Sequence, residues 1–281
     1  MVGAGLVITG AGLVQWSAAL VIPVFAAIGP PATSGWRFLS GAIVLLAFSR
    51  PRLRLWSREQ WLGALILGVA MAFMNMCFYQ AISRIPLGGA VAIEYLGPFL
   101  VAALGKRSWR HLVFVLMAGL GVVALARPGG TLNLLGIIFA LGASAGWAVY
   151  AFASHRVGKL STGFDGLAVS MSLAALVTLP FSVHTAPFLL SHPNTLLRIG
   201  LVGFMATALG YAAEMQALRI LKPAIVSVLL AFDPAVAFFF GWLLLAQRMT
   251  FWDVVGLLCV VVAGVGVTLD NAEGERINSV G

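Results

Sequence analysis

The chain has 281 residues, of which 61% are hydrophobic and only 9% charged, and its formal net charge is +8. Soluble domains carry roughly 25% charged residues, so water cannot solvate this surface and lipid must take its place, which excludes a soluble enzyme or binding module. The positive excess sits in short connections between apolar runs, where it reads as membrane topology rather than as a surface for nucleic acid.

A helix that crosses the bilayer needs about 20 mostly apolar residues. Backbone at that depth must pair internally, as a helix or in a closed barrel. The runs here are long and continuous, without the alternation of barrel strands. They predict an all-α integral membrane protein with ten transmembrane helices, at about 6–28, 32–49, 60–82, 86–104, 112–127, 132–153, 165–184, 196–218, 223–245 and 251–269.

The first run lacks a basic leader and is long enough to span, so it reads as a retained helix rather than a cleaved signal peptide. It carries Gln15 and Trp16. The second run holds a lone cation, Arg37. In the third, Asn75 and Tyr79 are one helical turn apart and share a face, with Gln80 beside them. The fourth contains Glu94, Tyr95 and, a turn after the acid, Pro98. The fifth is short and is closed by Pro128-Gly129-Gly130. Trp147 and Tyr150, three residues apart, lie in the sixth, together with the closely spaced small residues Gly142 and Gly146, which suit tight helix packing. Between the seventh and eighth runs, residues 185–195 with Pro187, His192 and Pro193 read as a surface connection. The eighth run carries Tyr211, Glu214 and Gln216, and in the ninth Asp233 directly precedes Pro234.

The two halves repeat one another. Gln80-Ala81-Ile82 and Pro98 return as Gln216-Ala217-Leu218 and Pro234, both at an offset of 136 (216 − 80 and 234 − 98). Ala118-Gly119-Leu120-Gly121-Val122 returns as Ala263-Gly264-Val265-Gly266-Val267, and Trp16-Ser17 as Trp147-Ala148. An ordered series of this kind predicts an internal duplication, with halves at 1–130 and 131–281. Lys and Arg set the orientation. Alternate connections are rich in them, at Arg50, Arg52, Arg54 and Arg58, at Lys106, Arg107 and Arg110, at Arg156 and Lys159, and at Arg219 and Lys222. The opposite connections hold one each, at Arg84, Arg127, Arg198 and Arg248. The rich side is expected to be cytoplasmic, with both termini there. Five spans per half then place the second copy upside down relative to the first, the inverted-repeat plan of many secondary transporters.

A charge in mid-membrane costs roughly 2.5–3.5 kcal/mol on insertion scales, so such residues face a cavity or a partner. Glu94, Glu214 and Asp233 are therefore candidates for substrate binding or proton coupling, and Arg37 for a structural ion pair or gate. Asn75, Tyr79, Trp147, Tyr150, Tyr211 and Trp16 are candidates for shaping the pocket. Each polar residue taken singly can also be an interhelical hydrogen bond, worth only about 0.6 kcal/mol. Pro98 and Pro234 are candidate helix breaks that free backbone carbonyls. Cys77 and Cys259 lie in apolar runs and read as packing residues. The histidines are scattered, and no phosphate loop, metal spacing or nucleophile–base pair is present, so no cofactor, metal or enzymatic activity is expected. Energy for uphill movement has to come from an ion gradient.

With Trp16, Arg37, Trp147, Pro98 and Pro234 in these positions, the whole chain resembles the EamA-type branch of the drug/metabolite transporter superfamily. A narrower resemblance is to the bacterial threonine and homoserine exporters. It is carried by Met74-Asn75, Phe78-Tyr79, Ile85-Pro86-Leu87-Gly88, Ala90-Val91-Ala92-Ile93-Glu94 and Gly97-Pro98 in the first half. In the second half it is carried by Tyr211, Glu214-Met215, Ala217-Leu218 and Pro234-Ala235. The chain departs from that pattern with Asp233 for a Glu, Gly210 for a Pro, and Ala246-Gln247 for a Gly-Glu pair. The resemblance implies a proton-coupled exporter of small amino acids in the bacterial inner membrane, surrounded by lipid, as a monomer or homodimer, with Glu94 and Glu214 in the site. Two alternatives stay open: export or import of another small solute, such as an aromatic amino acid, a drug or a nucleobase, and a non-transport role in membrane interaction or lipid handling.

Overall fold

Helix accounts for nearly all of the computed structural model, which describes residues 2–97, 109–125, 133–161, 163–210, 213, 216–217, 220–221, 229–248 and 250–278; no strand occurs among them. Helix α1 (Val2–Val21) runs on through a 3-10 turn at Ile22–Val24 and one further turn at Phe25–Ile28. Gly29, at φ 79°, turns the chain, and Pro30 opens α2 (Pro30–Ser49), where a missing N–H costs nothing. A reciprocal capping box of Ser57 and Gln60 starts α3 (Arg58–Ile82). A tight connection leads to the eight-residue α4 (Leu87–Glu94), whose first N–H, on Leu87, donates to Gln247 Oε1 at 3.2 Å. The first half closes with α5 (Trp109–Leu125).

Asn133 caps α6 (Leu134–Leu160) by accepting from Gly136 N. After α7 (Asp165–Ser182) comes α8 (Pro193–Val202), which continues as a π-helical segment at Gly203–Gly210. The described residues end with α9 (Asp233–Leu245) and α10 (Phe251–Asn278).

Three expectations are corrected. Helix α6 runs seven residues past the predicted end at 153, so Arg156 and Lys159 lie on its last turns rather than in a loop. Cations there meet the exposed carbonyls of a helix C-terminus. Residues 185–195 are largely helical, through Val183–Thr185, Ala186–Ser191 and the start of α8. Pro187 and Pro193 both sit in first turns, where proline starts a helix rather than breaking it. Residues 270–278, expected to form a short cytoplasmic tail after the last span, continue α10.

The exterior is apolar and the interior holds polar groups. Phe48, Leu116, Leu120, Ile138 and Phe152 are exposed, whereas Gln15, Arg37, Asn75, Glu94 and Asp233 are buried. Five described stretches are long and apolar enough to cross a membrane: Gly5–Ile28, Pro30–Ser49, Arg58–Ile82, Leu134–Leu160 and Asp165–Ser191. Leu112–Leu125, Asp233–Leu245 and Phe251–Val267 are shorter apolar helices. The molecule is an all-α, multi-pass membrane protein.

Packing between the halves is reciprocal. Helix α2 packs on α7, α4 on α9 and α5 on α10. Helix α3 packs on α6 and α7, while α8 and its π-helical extension pack on α1 and α2. Helix α4 touches α6 as α9 touches α1. Exchanging α1–α5 for α6–α10 returns the same pairs. Two glycines show how close the match is. A Cβ on Gly68 of α3 would stand 2.5 Å from the Ser170 carbonyl oxygen of α7. One on Gly203, 135 residues later (203 − 68), would stand 2.8 Å from the Arg37 carbonyl oxygen of α2. Both seams let one helix approach another's backbone closely.

Candidate functional site

The site grows from two faces that meet between the halves. On the first, Arg37 of α2 is buried, and its Nη1 donates to Asn75 Oδ1 at 2.6 Å and to Tyr79 Oη at 3.1 Å. Asn75 and Tyr79 reach one guanidinium because they are four residues apart on α3 and therefore stacked on one face. The guanidinium carbon also lies 5.6 Å from the Tyr79 ring centre. Asn75 Nδ2 reaches back to the Met71 carbonyl at 3.4 Å. The Tyr79 ring, fully buried, packs 5.3 Å from Phe25.

On the second face, Glu94 is the last residue of α4 and Asp233 the first of α9. Both are buried, and Glu94 lies within electrostatic range of both Arg37 and Asp233. Tyr95 occupies the turn after α4, and its hydroxyl donates to Asp233 Oδ2, a bond that ties the two halves together. Gln15 of α1 is buried beside Asp233. The Tyr95 ring stands 5.5 Å from Trp147, which stands 6.0 Å from Tyr150.

A cavity of about 70 Å³ lies among these groups, lined by Gln15, Arg37, Asn75, Glu94, Tyr95, Trp147, Tyr150 and Asp233 among apolar neighbours. At about 10–15 Å³ per water, it holds a few waters or a small solute. Two buried oxygens of lining residues, Gln15 Oε1 and Asp233 Oδ1, have no hydrogen-bond partner among the described residues. Among the described residues, no group of three or more His, Cys, Asp or Glu is placed to hold a metal ion.

Of the candidates named from sequence, Arg37, Asn75, Glu94, Trp147, Tyr150 and Asp233 come together on the cavity wall. Tyr79 stands behind them as a partner of Arg37. Trp16 is half-buried on α1 and does not line the cavity; its neighbour Gln15 does. Pro98, Tyr211 and Glu214 lie outside the described residues. Pro234 sits in the first turn of α9, directly after a turn at Ala231 and Phe232. The chain does break there, but the proline serves the restart of the helix rather than freeing a carbonyl inside it.

At the repeat offset of 136, that turn falls on Tyr95 and Leu96 (231 − 136 and 232 − 136), and Tyr95 is where α4 ends. Both halves therefore bend at one position, and each bend carries an acid into the cavity. The sequence candidates omitted Gln15 and Tyr95. Their signal was a polar side chain in an apolar run, and in the case of Tyr95 its place directly after Glu94.

Comparison with known proteins agrees with this arrangement. The profile of the EamA-like transporter family matches the chain twice, at residues 2–127 and 134–269. The threonine/homoserine exporter RhtA of Salmonella typhimurium (strain LT2) is 34% identical over 272 residues, covering 95% of this chain and 91% of that protein. Its Escherichia coli (strain K12) counterpart is 33% identical over the same span. The transporter YxxF of Bacillus subtilis (strain 168), itself described as uncharacterized, is 23% identical over 82% of this chain and 76% of that protein. One solved crystal structure superposes with a TM-score of 0.62 at 15% identity, covering 96% of this chain and 99% of its own; it speaks to fold alone.

Proposed function

The chain belongs to the EamA-like transporter family, and from that premise we propose that it exports small amino acids of the threonine and homoserine kind from the bacterial cytoplasm by proton antiport. The observation that carries this reading is the meeting of Glu94, Arg37 and Asp233 from both halves around one small cavity. A zwitterion needs an anionic and a cationic partner, and a proton antiporter needs a carboxyl that takes up and releases a proton within the membrane. The relatives named as threonine/homoserine exporters support the substrate class. The narrow cavity favours a short aliphatic solute over an aromatic ring.

The two acids have different surroundings. Asp233 lies in the first turn of α9, where the helix dipole favours a negative charge, and it accepts a phenol hydrogen bond. Glu94 ends α4, where the dipole opposes one. In this reading Glu94 exchanges the proton while Asp233 keeps its charge. The duplicated family match and the reciprocal packing support ten spans in two inverted halves, 1–130 and 131–281, and the distribution of Lys and Arg favours cytoplasmic termini. Alternating access then rocks one half against the other about the bends after Glu94 and before Asp233. Glu214, by the same analogy, is a further candidate for the site.

Reconstitution tests this. Purified protein in proteoliposomes should move labelled threonine or homoserine uphill when a pH gradient is imposed. Indifference of both amino acids to either polarity of the gradient overturns the reading.

A further inference from the structure

The polar groups of the cavity do not offer an even mixture of donors and acceptors. Two of the described donors are committed to neighbours. Arg37 Nη1 is bonded to Asn75 and Tyr79, and the Tyr95 hydroxyl is bonded to Asp233 Oδ2. Among the described residues, the oxygens of the lining left without a donor are Asp233 Oδ1 and Oε1 of Gln15, whose amide lies beside the Asp233 carboxylate. Both residues are more than nine-tenths buried. A buried acceptor left without a donor carries the full cost of its desolvation, so a ligand that supplies donors relieves two such costs at once.

The matching group is an ammonium, which has three donors and no acceptor. A carboxylate or a bare carbonyl placed at the same spot would face two acceptors and a negative charge. The rings of Tyr95 and Trp147, which also line the cavity, add faces that attract a cation. The two oxygens come from α1 and α9, helices that pack on each other, so a relative movement of the halves that parts α1 from α9 opens or closes the subsite.

We propose that Asp233 Oδ1 and Gln15 Oε1 form an ammonium subsite that selects solutes with a free primary amine, and that this subsite is separate from the proton site at Glu94. This rests on the reading of the chain as an amino-acid transporter, because it assigns one end of that same substrate. It makes Gln15 and Asp233 specificity-determining residues. A solute that keeps the amine and loses the carboxylate should still bind. One that keeps the carboxylate and exchanges the amine for hydrogen should not.

Equilibrium binding to the purified full-length protein in detergent tests this without any gradient, with three probes: threonine, threoninol and 3-hydroxybutyrate. Wild type should bind threonine and, more weakly, threoninol, and should bind 3-hydroxybutyrate at least about tenfold more weakly than threonine, as loss of a charged hydrogen-bond partner implies. Asp233→Asn and Gln15→Leu should each weaken threonine binding by about tenfold or more while leaving residual 3-hydroxybutyrate binding unchanged. A folded Gln15→Leu protein keeps the test decisive if Asp233→Asn fails to fold. Equal binding of threonine and 3-hydroxybutyrate to wild type overturns the subsite and leaves the transport reading standing. Unchanged threonine affinity in both variants does the same. Absence of binding for all three probes overturns the transport reading, and the subsite falls with it.

Discussion

The bend after Glu94 and the bend before Asp233 occupy the same position in the two halves, yet they differ in chemistry. In the first half the acid closes a helix, and the residue after it is a tyrosine. In the second the acid opens a helix and accepts a hydrogen bond from that same tyrosine. The two halves share their packing pairs, down to the close approaches at Gly68 and Gly203. They do not share the charges. Two acids at equivalent positions would repel each other across a symmetric site. Displacing one of them by a few residues places the acids at opposite ends of short helices, with unlike local fields. The structure thereby joins a symmetric scaffold to an asymmetric site.

The largest expected effect comes from removing the cation that faces Glu94. Arg37→Met leaves Asn75 and Tyr79 without their donor and the acids without their neighbouring positive charge; stripping one partner from a buried charged cluster costs about 3–5 kcal/mol. Thermal melting in detergent should show a large loss of stability, together with loss of transport. A variant that melts like wild type would mean that the guanidinium is not a structural partner. On the Asp233 side, Tyr95→Phe deletes one hydrogen bond to a carboxylate, worth about 1.5–3 kcal/mol. It should weaken threonine binding roughly 10-fold or more while sparing the fold, and an unaltered affinity would separate Tyr95 from the site.

The scaffold half of the comparison is tested by glycine. Gly68→Ala and Gly203→Ala should each destabilise by about 1–3 kcal/mol, the usual cost of overpacking a close seam. Similar losses in melting temperature would support equivalent seams, and a silent Gly203→Ala would mark the π-helical segment as able to yield. The smallest effect is expected at Gln247, whose side chain caps Leu87 N at the start of α4. Gln247→Ala should cost about 1 kcal/mol, read as a small shift in melting with transport retained.

Much of the scaffold was legible in the sequence because long apolar runs have few alternatives in lipid. The described helices follow the predicted runs where Ser57 caps one start and Pro30 opens another. Hydropathy failed at the end of α6, where Arg156 and Lys159 lie on the last turns of the helix. Helix α6 continues beyond 153 because its backbone pairing does not depend on the solvent, whereas hydropathy reports only the solvent. It failed again at 185–195, where the stretch read as a surface connection forms short helices with its prolines in their first turns.

Within the site, Arg37, Glu94 and Asp233 stood out because a charge in an apolar run has few other reasons to be there. Gln15 and Tyr95 did not, because a single amide or phenol in a span is as often an ordinary interhelical bond. Only the fold brings Gln15 and Tyr95 to the same carboxylate across more than a hundred residues of sequence. The unlike surroundings of the two bends were equally hidden, since they depend on where each helix starts and stops and not on which residues it contains.

The division of labour between the acids is the central claim, and Glu94→Gln in proteoliposomes tests it most directly. The variant keeps the size and burial of the side chain but cannot exchange a proton. Threonine counterflow, which needs only binding and rocking, should persist, while uphill movement driven by a pH gradient should fall by about 100-fold or more, a loss of at least roughly 2.7 kcal/mol of coupling. Gradient-driven transport at the wild-type rate would contradict the account, because the proton would then be carried elsewhere.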